Sequence, residues 1–163
     1  MTGKLFVAIV ALCTFASCKN NAKKALDFSN AMVARETAIT PVITACEARV
    51  KQAYEAQDFA KIGEEGKNME AQVQKTIDEL RQIPAPDVKG AEQFKNIYLD
   101  YFGFIKSMYT AYKNYGNAAS EEDRQKGLEE IRKIVDTKQA VLTKTRAAQE
   151  TFAKENGFKL DGK

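Results

Sequence analysis

The sequence contains no histidine and no tryptophan, and its 163 residues include three prolines and three cysteines. Without histidine there is no Ser-His-Asp or Cys-His catalytic site, no zincin-type zinc site, no His-ligated haem and no Glu-x-x-His di-iron motif. The formal net charge is +3, from 25 basic and 22 acidic residues. A dedicated nucleic-acid-binding domain is usually far more basic, so we expect no nucleic-acid partner.

The acidic residues and the cysteines do not form a pattern that indicates catalysis. The acids favour exposed faces and helix starts, and none interrupts an apolar stripe where a metal ligand would lie. No pair of carboxylates is suggested of the kind that glycoside hydrolysis needs. Cys46 falls on an apolar stripe and is interpreted as a small core residue. We therefore expect no enzyme, no metal and no cofactor.

The N-terminal residues have the pattern of an export signal. Lys4 supplies a positive charge, and residues 5–15 form an apolar run that is too short to span a bilayer. The segment TFASC, which ends at Cys18, resembles the lipobox of bacterial lipoproteins, with Phe15 where that pattern prefers leucine. The resemblance implies that residues 1–17 are removed and that Cys18 carries lipid. Plain secretion and an uncleaved anchor are the alternatives.

The residue after the lipid-bearing cysteine bears on location. In the lipoprotein class an aspartate there often signals retention at the inner membrane, and this chain has Lys19 instead. We therefore expect a lipid anchor at the outer membrane of a bacterial cell envelope, in either leaflet. Residues 18–22 are then expected to form the tether, and residues 23–163 a folded domain with a short tail.

The remainder of the chain has the pattern of four amphipathic helices, because apolar residues recur at spacings of three and four. Pro41 lies inside the first helix and is expected to kink or split it. Short loops between amphipathic helices favour antiparallel neighbours. The sequence therefore predicts an all-α, antiparallel up-down-up-down four-helix bundle. The helices are expected to span about residues 22–57, 58–82, 88–115 and 120–156.

The third predicted helix is rich in aromatic residues, with five of the six tyrosines between positions 98 and 115. These rings either fill the core or line a groove for a ligand or partner, since tyrosine combines an apolar ring with a polar tip. The candidate contacts for a ligand or partner are Tyr98, Tyr109 and Tyr112.

The fourth predicted helix has an apolar side with one interruption. Lys138 intrudes on this side and is interpreted as a snorkelling lysine. The other basic residues of the helix are scattered among acids and indicate a solvated face. The residues expected on the apolar side are Leu128, Ile131, Ile134, Val135, Val141, Leu142, Ala148 and Phe152.

Four segments of the second half carry a family resemblance. They are FK at 94–95, LDYF at 99–102, SEED at 120–123 and AQETFAKENG at 148–157. Together they resemble a family of small bacterial surface lipoproteins that have no assigned biochemical activity. The resemblance implies a lipid-anchored helical domain on a cell envelope and supplies no catalytic or ligand residue. We expect a non-catalytic protein that interacts with an envelope or host protein; the alternative is a carrier or sensor of an apolar small molecule.

The lipid anchor is tested by replacing its attachment site. Expressed with its own leader in a Gram-negative host, the wild-type chain should extract from membranes with the mass of residues 18–163 plus acyl chains. Cys18→Ser should abolish the acyl mass and the membrane association, because more than one acyl chain is needed for durable anchoring. A lipid-free wild-type product would contradict the assignment, and Cys46→Ser is the matched control.

Overall fold

The computed structural model describes residues 14–160, with side chains from residue 20 onward. This part of the chain is all-α and consists of α1 (Thr14–Glu55), α2 (Phe59–Gln82), α3 (Ala91–Gly116) and α4 (Glu121–Asn156). No helix within it is both long and apolar enough to cross a membrane. Residues 1–13 and the side chain of Cys18 lie outside the described parts, so cleavage and lipidation stay predictions.

The helices run antiparallel in chain order, which confirms the predicted four-helix bundle. The ion pairs between consecutive helices show this direction, because early residues of one helix pair with late residues of the next. These pairs are Arg35–Glu79 and Arg49–Glu65 between α1 and α2, Glu70–Lys113 between α2 and α3, and Asp100–Lys144 between α3 and α4.

Side-chain caps define two of the helix starts where the sequence predicts them. Asp58 Oδ1 accepts a hydrogen bond from the Lys61 amide at 3.0 Å, and Ser120 Oγ accepts one from the Asp123 amide at 3.1 Å. Each cap satisfies a backbone N–H that has no partner within its helix. At the other end of α4, Gly157 has a φ of 70°, a left-handed conformation that ends the helix.

Two helix starts differ from the prediction. The helix α1 begins at Thr14, so the residues predicted as a tether, 18–22, are helical, in keeping with the good helix formers that follow them. The helix α3 begins at Ala91, three residues later than predicted, because Gly90 adopts a left-handed φ of 75°. A residue with that φ cannot belong to a right-handed helix.

Pro41 does not split the first helix, because α1 continues through it as one element. Proline leaves the carbonyl four residues before it without an amide donor. Residues 37, 40 and 41 are exposed, so that carbonyl is open to hydrogen bonding by solvent. The neighbouring Thr40 hydroxyl also donates to the Glu36 carbonyl at 2.7 Å. The alternative of two separate helices is therefore wrong.

The backbones of α2 and α3 approach closely at glycines. A Cβ atom on Gly66 would lie 2.4 Å from the Lys113 amide nitrogen, and one on Gly116 would lie 2.1 Å from the Gly63 nitrogen. Both distances are shorter than any van der Waals contact. Only hydrogen fits at these two positions, and the α2–α3 pair is the most tightly joined in the bundle.

Three phenylalanines join α1, α3 and α4 at one end of the bundle, which we call the closed end. Phe94 and Phe152 are stacked with ring centroids 4.5 Å apart. Phe28 meets both rings edge-on, at 6.0 Å and 6.1 Å. Stacked and edge-on pairs of this kind contribute about 0.5–1.5 kcal/mol each beyond their buried area. The cluster therefore fixes α1 and α4 to each other at this end.

The α2–α3 contact can be tested with a pair of glycine variants. Gly66→Ala should lower the free energy of unfolding by about 1–3 kcal/mol, since the methyl group overpacks two backbones. Gly103→Ala has nothing within 4 Å of the added Cβ and should raise it by about 0.5–1 kcal/mol through helix propensity. Urea denaturation followed by circular dichroism measures both. Equal effects at the two positions would contradict the contact.

Candidate binding groove

An apolar groove separates α1 from α4 over the part of the bundle away from the closed end. It consists of two adjoining cavities of about 460 Å³ and 230 Å³, which share Glu47, Met108 and Lys138 in their walls. The helices α1 and α4 form its two rims, and α3 forms its floor. We call this feature the α1–α4 groove.

The lining of the groove is mostly aromatic and aliphatic. The α1 rim contributes Thr40, Ile43, Glu47, Val50, Lys51 and Tyr54. The floor on α3 contributes Tyr101, Phe104, Ile105, Met108, Tyr109, Tyr112 and Tyr115, and Ile62 of α2 closes one end. The α4 rim contributes Leu128, Ile131, Val135, Lys138 and Leu142.

The rims expose apolar side chains that a closed bundle would bury. Tyr54, Val135 and Leu142 are 53%, 48% and 38% exposed, and Leu160 of the tail is the remaining exposed large apolar residue in the described chain. Single exposed apolar residues are ordinary on a protein surface. These three exposed apolar residues all lie on the two rims of one apolar groove.

The groove carries opposite charges on its two rims. Glu47 on α1 and Lys138 on α4 line both cavities, so they lie at the same level of the groove. Neither residue belongs to an ion pair within the described residues. Both side chains are exposed, so both charges are solvated.

Tyr109 lies deep in the floor of the groove with an unsatisfied hydroxyl. Its side chain is buried, and its hydroxyl oxygen has no hydrogen-bond partner among the described residues. Burial, and then the negative charge of Glu47, raise the pKa of Tyr109 above its usual range. Leaving a polar group buried without a partner is costly, so this hydroxyl destabilises the fold.

The three candidate tyrosines are not brought together in one site. Tyr109 and Tyr112 line adjacent cavities of the groove, with ring centroids 5.9 Å apart. Tyr98 lies in the core beside the closed end and lines no described cavity, and its hydroxyl donates to Glu36 Oε2 at 3.4 Å. It also accepts a hydrogen bond from Gln149 Nε2. Tyr98 therefore ties three helices together.

Cys46 lies in the core, as the sequence predicts. Its thiol is buried and faces the Glu65 carbonyl oxygen at 3.9 Å. Burial, followed by the charge of Glu65, raises the pKa of Cys46 to about 11. The thiolate is the reactive form, so this cysteine is poorly suited to act as a nucleophile at neutral pH.

Arg49 holds Glu65 in a bidentate pair, with two N···O distances of 2.8 Å.

The described side chains form no group that has the composition of a metal site. No cluster of three or more Cys, Asp or Glu side chains lies within metal-binding distance in that part of the chain. In the groove itself, Glu47 is the one carboxylate among the lining residues. The arrangement therefore offers apolar contact, tyrosine hydroxyls and two opposite charges.

Comparison with known proteins adds no relative. The chain matches no protein-family model, no curated protein and no solved structure.

The exposure of the α4 rim differs from the sequence prediction. Val135 and Leu142, expected on the buried apolar side of α4, are exposed because α1 does not approach α4 closely enough to cover them. One feature of the sequence indicates this exposure. Lys138 interrupts the same stripe midway between them, and a charged residue in a stripe marks a place where water or a partner reaches the helix.

The contrast between the two buried tyrosines gives a prediction about stability. Tyr109→Phe removes an unsatisfied hydroxyl and should raise the free energy of unfolding by about 1 kcal/mol. Tyr98→Phe removes the hydroxyl that joins Glu36 and Gln149 and should lower it by about 1–3 kcal/mol. Chemical denaturation of both variants measures the two values. A loss of stability in Tyr109→Phe would show that its hydroxyl has a partner in solution.

Proposed function

We propose that this protein is a lipid-anchored, non-catalytic protein of a bacterial cell envelope that binds another protein through the α1–α4 groove. The carrying observation is that apolar side chains on both rims of the groove, Tyr54 on α1 and Val135 and Leu142 on α4, are exposed. A small molecule inside a cavity leaves such rims exposed to water, whereas the surface of a protein partner covers them. Aromatic residues and methionine, which line this groove, are also the residue types enriched at the centre of protein interfaces.

The placement of the groove fits an anchored binding protein. The α1 rim spans residues 40–54, which lie 22 to 36 residues beyond Cys18 on the same continuous helix. At 1.5 Å per residue, the groove lies about 35–55 Å along α1 from the proposed lipid. The closed end of the bundle is then nearest to the membrane, and the groove lies farther from it.

A non-catalytic role is supported by the chemistry of the groove. Catalysis by a pair of carboxylates needs two of them facing each other, and Glu47 has no second carboxylate among the lining residues. The chain has no histidine to act as a general base, and Cys46 is buried. Binding therefore accounts for the groove better than chemistry does.

A small-molecule carrier is the second candidate, because the larger cavity measures about 460 Å³. Volumes of roughly 300–1,000 Å³ are typical of small-molecule sites, and such sites occur between the helices of bundles. An apolar ligand would suit the lining of this cavity, which includes Ile62, Met108, Tyr112 and Tyr115.

A photoreactive residue on the groove rim tests the proposed function. Placed at Leu142 of the full chain in its native membrane, it should form one covalent protein adduct of defined mass. Val135→Glu should abolish the adduct, because a buried unpaired charge is costly in an apolar interface. The same photoreactive residue at exposed Lys133, which does not line the groove, is the control.

The possible results separate the two candidate functions. Equal adducts from positions 142 and 133 would contradict a specific groove partner. No protein adduct, together with a small molecule retained by the wild-type chain in native mass spectrometry and lost in Val135→Glu, would establish the carrier instead.

A further inference from the structure

On each rim of the α1–α4 groove, a charged residue lies between apolar residues. Residues that line the same cavity from opposite rims form three levels: Ile43 with Leu142, Glu47 with Lys138, and Tyr54 with Ile131. The outer two levels are apolar on both rims, and the middle level is acidic on one rim and basic on the other. The groove is therefore complementary to a copy of itself turned by a half rotation about the bundle axis.

We infer that a second copy of this chain covers the groove, in a two-fold dimer whose axis runs parallel to the bundle. This inference rests on the proposed function and names its partner. A half rotation about that axis places the α1 rim of each copy against the α4 rim of the other. Glu47 of each copy then faces Lys138 of its partner, which is the reciprocal contact that defines an isologous interface.

The dimer satisfies the exposed groups of the groove. The two Glu47–Lys138 contacts pair charges that have no partner within one chain, and opposite charges across an interface fix its register. The apolar levels on either side bury Tyr54 and Leu142, which are exposed in one copy. A partner whose charges both had one sign would leave Glu47 or Lys138 beside a like charge.

The direction of the axis is compatible with two copies on one membrane. Rotation about an axis parallel to the bundle leaves both copies pointing the same way, so both closed ends, and both Cys18 positions, lie at the same end of the dimer. A two-fold axis perpendicular to the bundle would place the two chain starts at opposite ends. Only the parallel arrangement allows both proposed lipids to enter one bilayer.

Charge reversal tests the inference on the full chain, extracted in mild detergent. Sedimentation velocity over a concentration series should show two chains per particle for the wild type. Glu47→Lys and Lys138→Glu should each weaken dimerisation by about tenfold or more, because each places like charges together at both contacts. The double variant Glu47→Lys with Lys138→Glu should restore wild-type dimerisation. Lys133→Glu, on the same helix but outside the groove, should have no effect.

A second measurement does not depend on charge. Chains carrying Ile43→Cys, mixed with chains carrying Leu142→Cys, should form a disulfide-linked pair under mild oxidation, because these positions face each other across the interface. Neither chain alone should form it. Circular dichroism on every variant confirms that the helices are intact, so a failure to dimerise is not a failure to fold.

Each outcome decides the inference. A wild-type monomer at all concentrations, a double variant as weak as the single variants, or no mixed disulfide would overturn it. If these fail while position 142 still forms an adduct that Val135→Glu removes, the proposed function stands with a different protein as the partner. If the adduct is absent as well, the proposed function fails with the inference.

Discussion

The close approach of α2 and α3 is the constraint on which the rest of the bundle depends. Because Gly66 and Gly116 have no side chain, the two backbones touch and form one rigid pair. The helix α1 packs on this pair through the Arg49–Glu65 ion pair, and α4 packs on it through Phe152 stacked on Phe94. Away from the closed end, each outer helix is therefore positioned by the inner pair rather than by the other outer helix.

The groove is a direct consequence of this arrangement. The helices α1 and α4 meet through Phe28 and Phe152 at the closed end, and the hydrogen bonds of Tyr98 to Glu36 and Gln149 join them to α3 nearby. Beyond that level the described side chains form no aromatic pair, ion pair or hydrogen bond between α1 and α4, and the aromatic floor of α3 becomes partly accessible. The same helix α3 thus supplies core residues at one end and the floor of the groove at the other.

This division explains why one chain combines a well-packed core with exposed apolar rims. The core near the closed end has satisfied polar groups, as the hydrogen bonds of Tyr98 show. The groove keeps an unsatisfied hydroxyl on Tyr109 and unpaired charges on Glu47 and Lys138. In the proposed function, this groove is the site that another molecule covers. A proposed lipid anchor would hold that site at a fixed distance from the membrane.

The sequence by itself determined the helices, their order and most of their ends. The caps at Asp58 and Ser120 and the apolar spacing act within a few residues, so their effects are readable locally. Only the tertiary structure decided that Tyr98 is core while Tyr109 lines a groove, although both belong to the aromatic face of α3. That difference depends on the separation of α1 from α4, helices about a hundred residues apart in the chain. The α2–α3 pair sets the distance between α1 and α4, and no local pattern in the sequence of either helix encodes that distance.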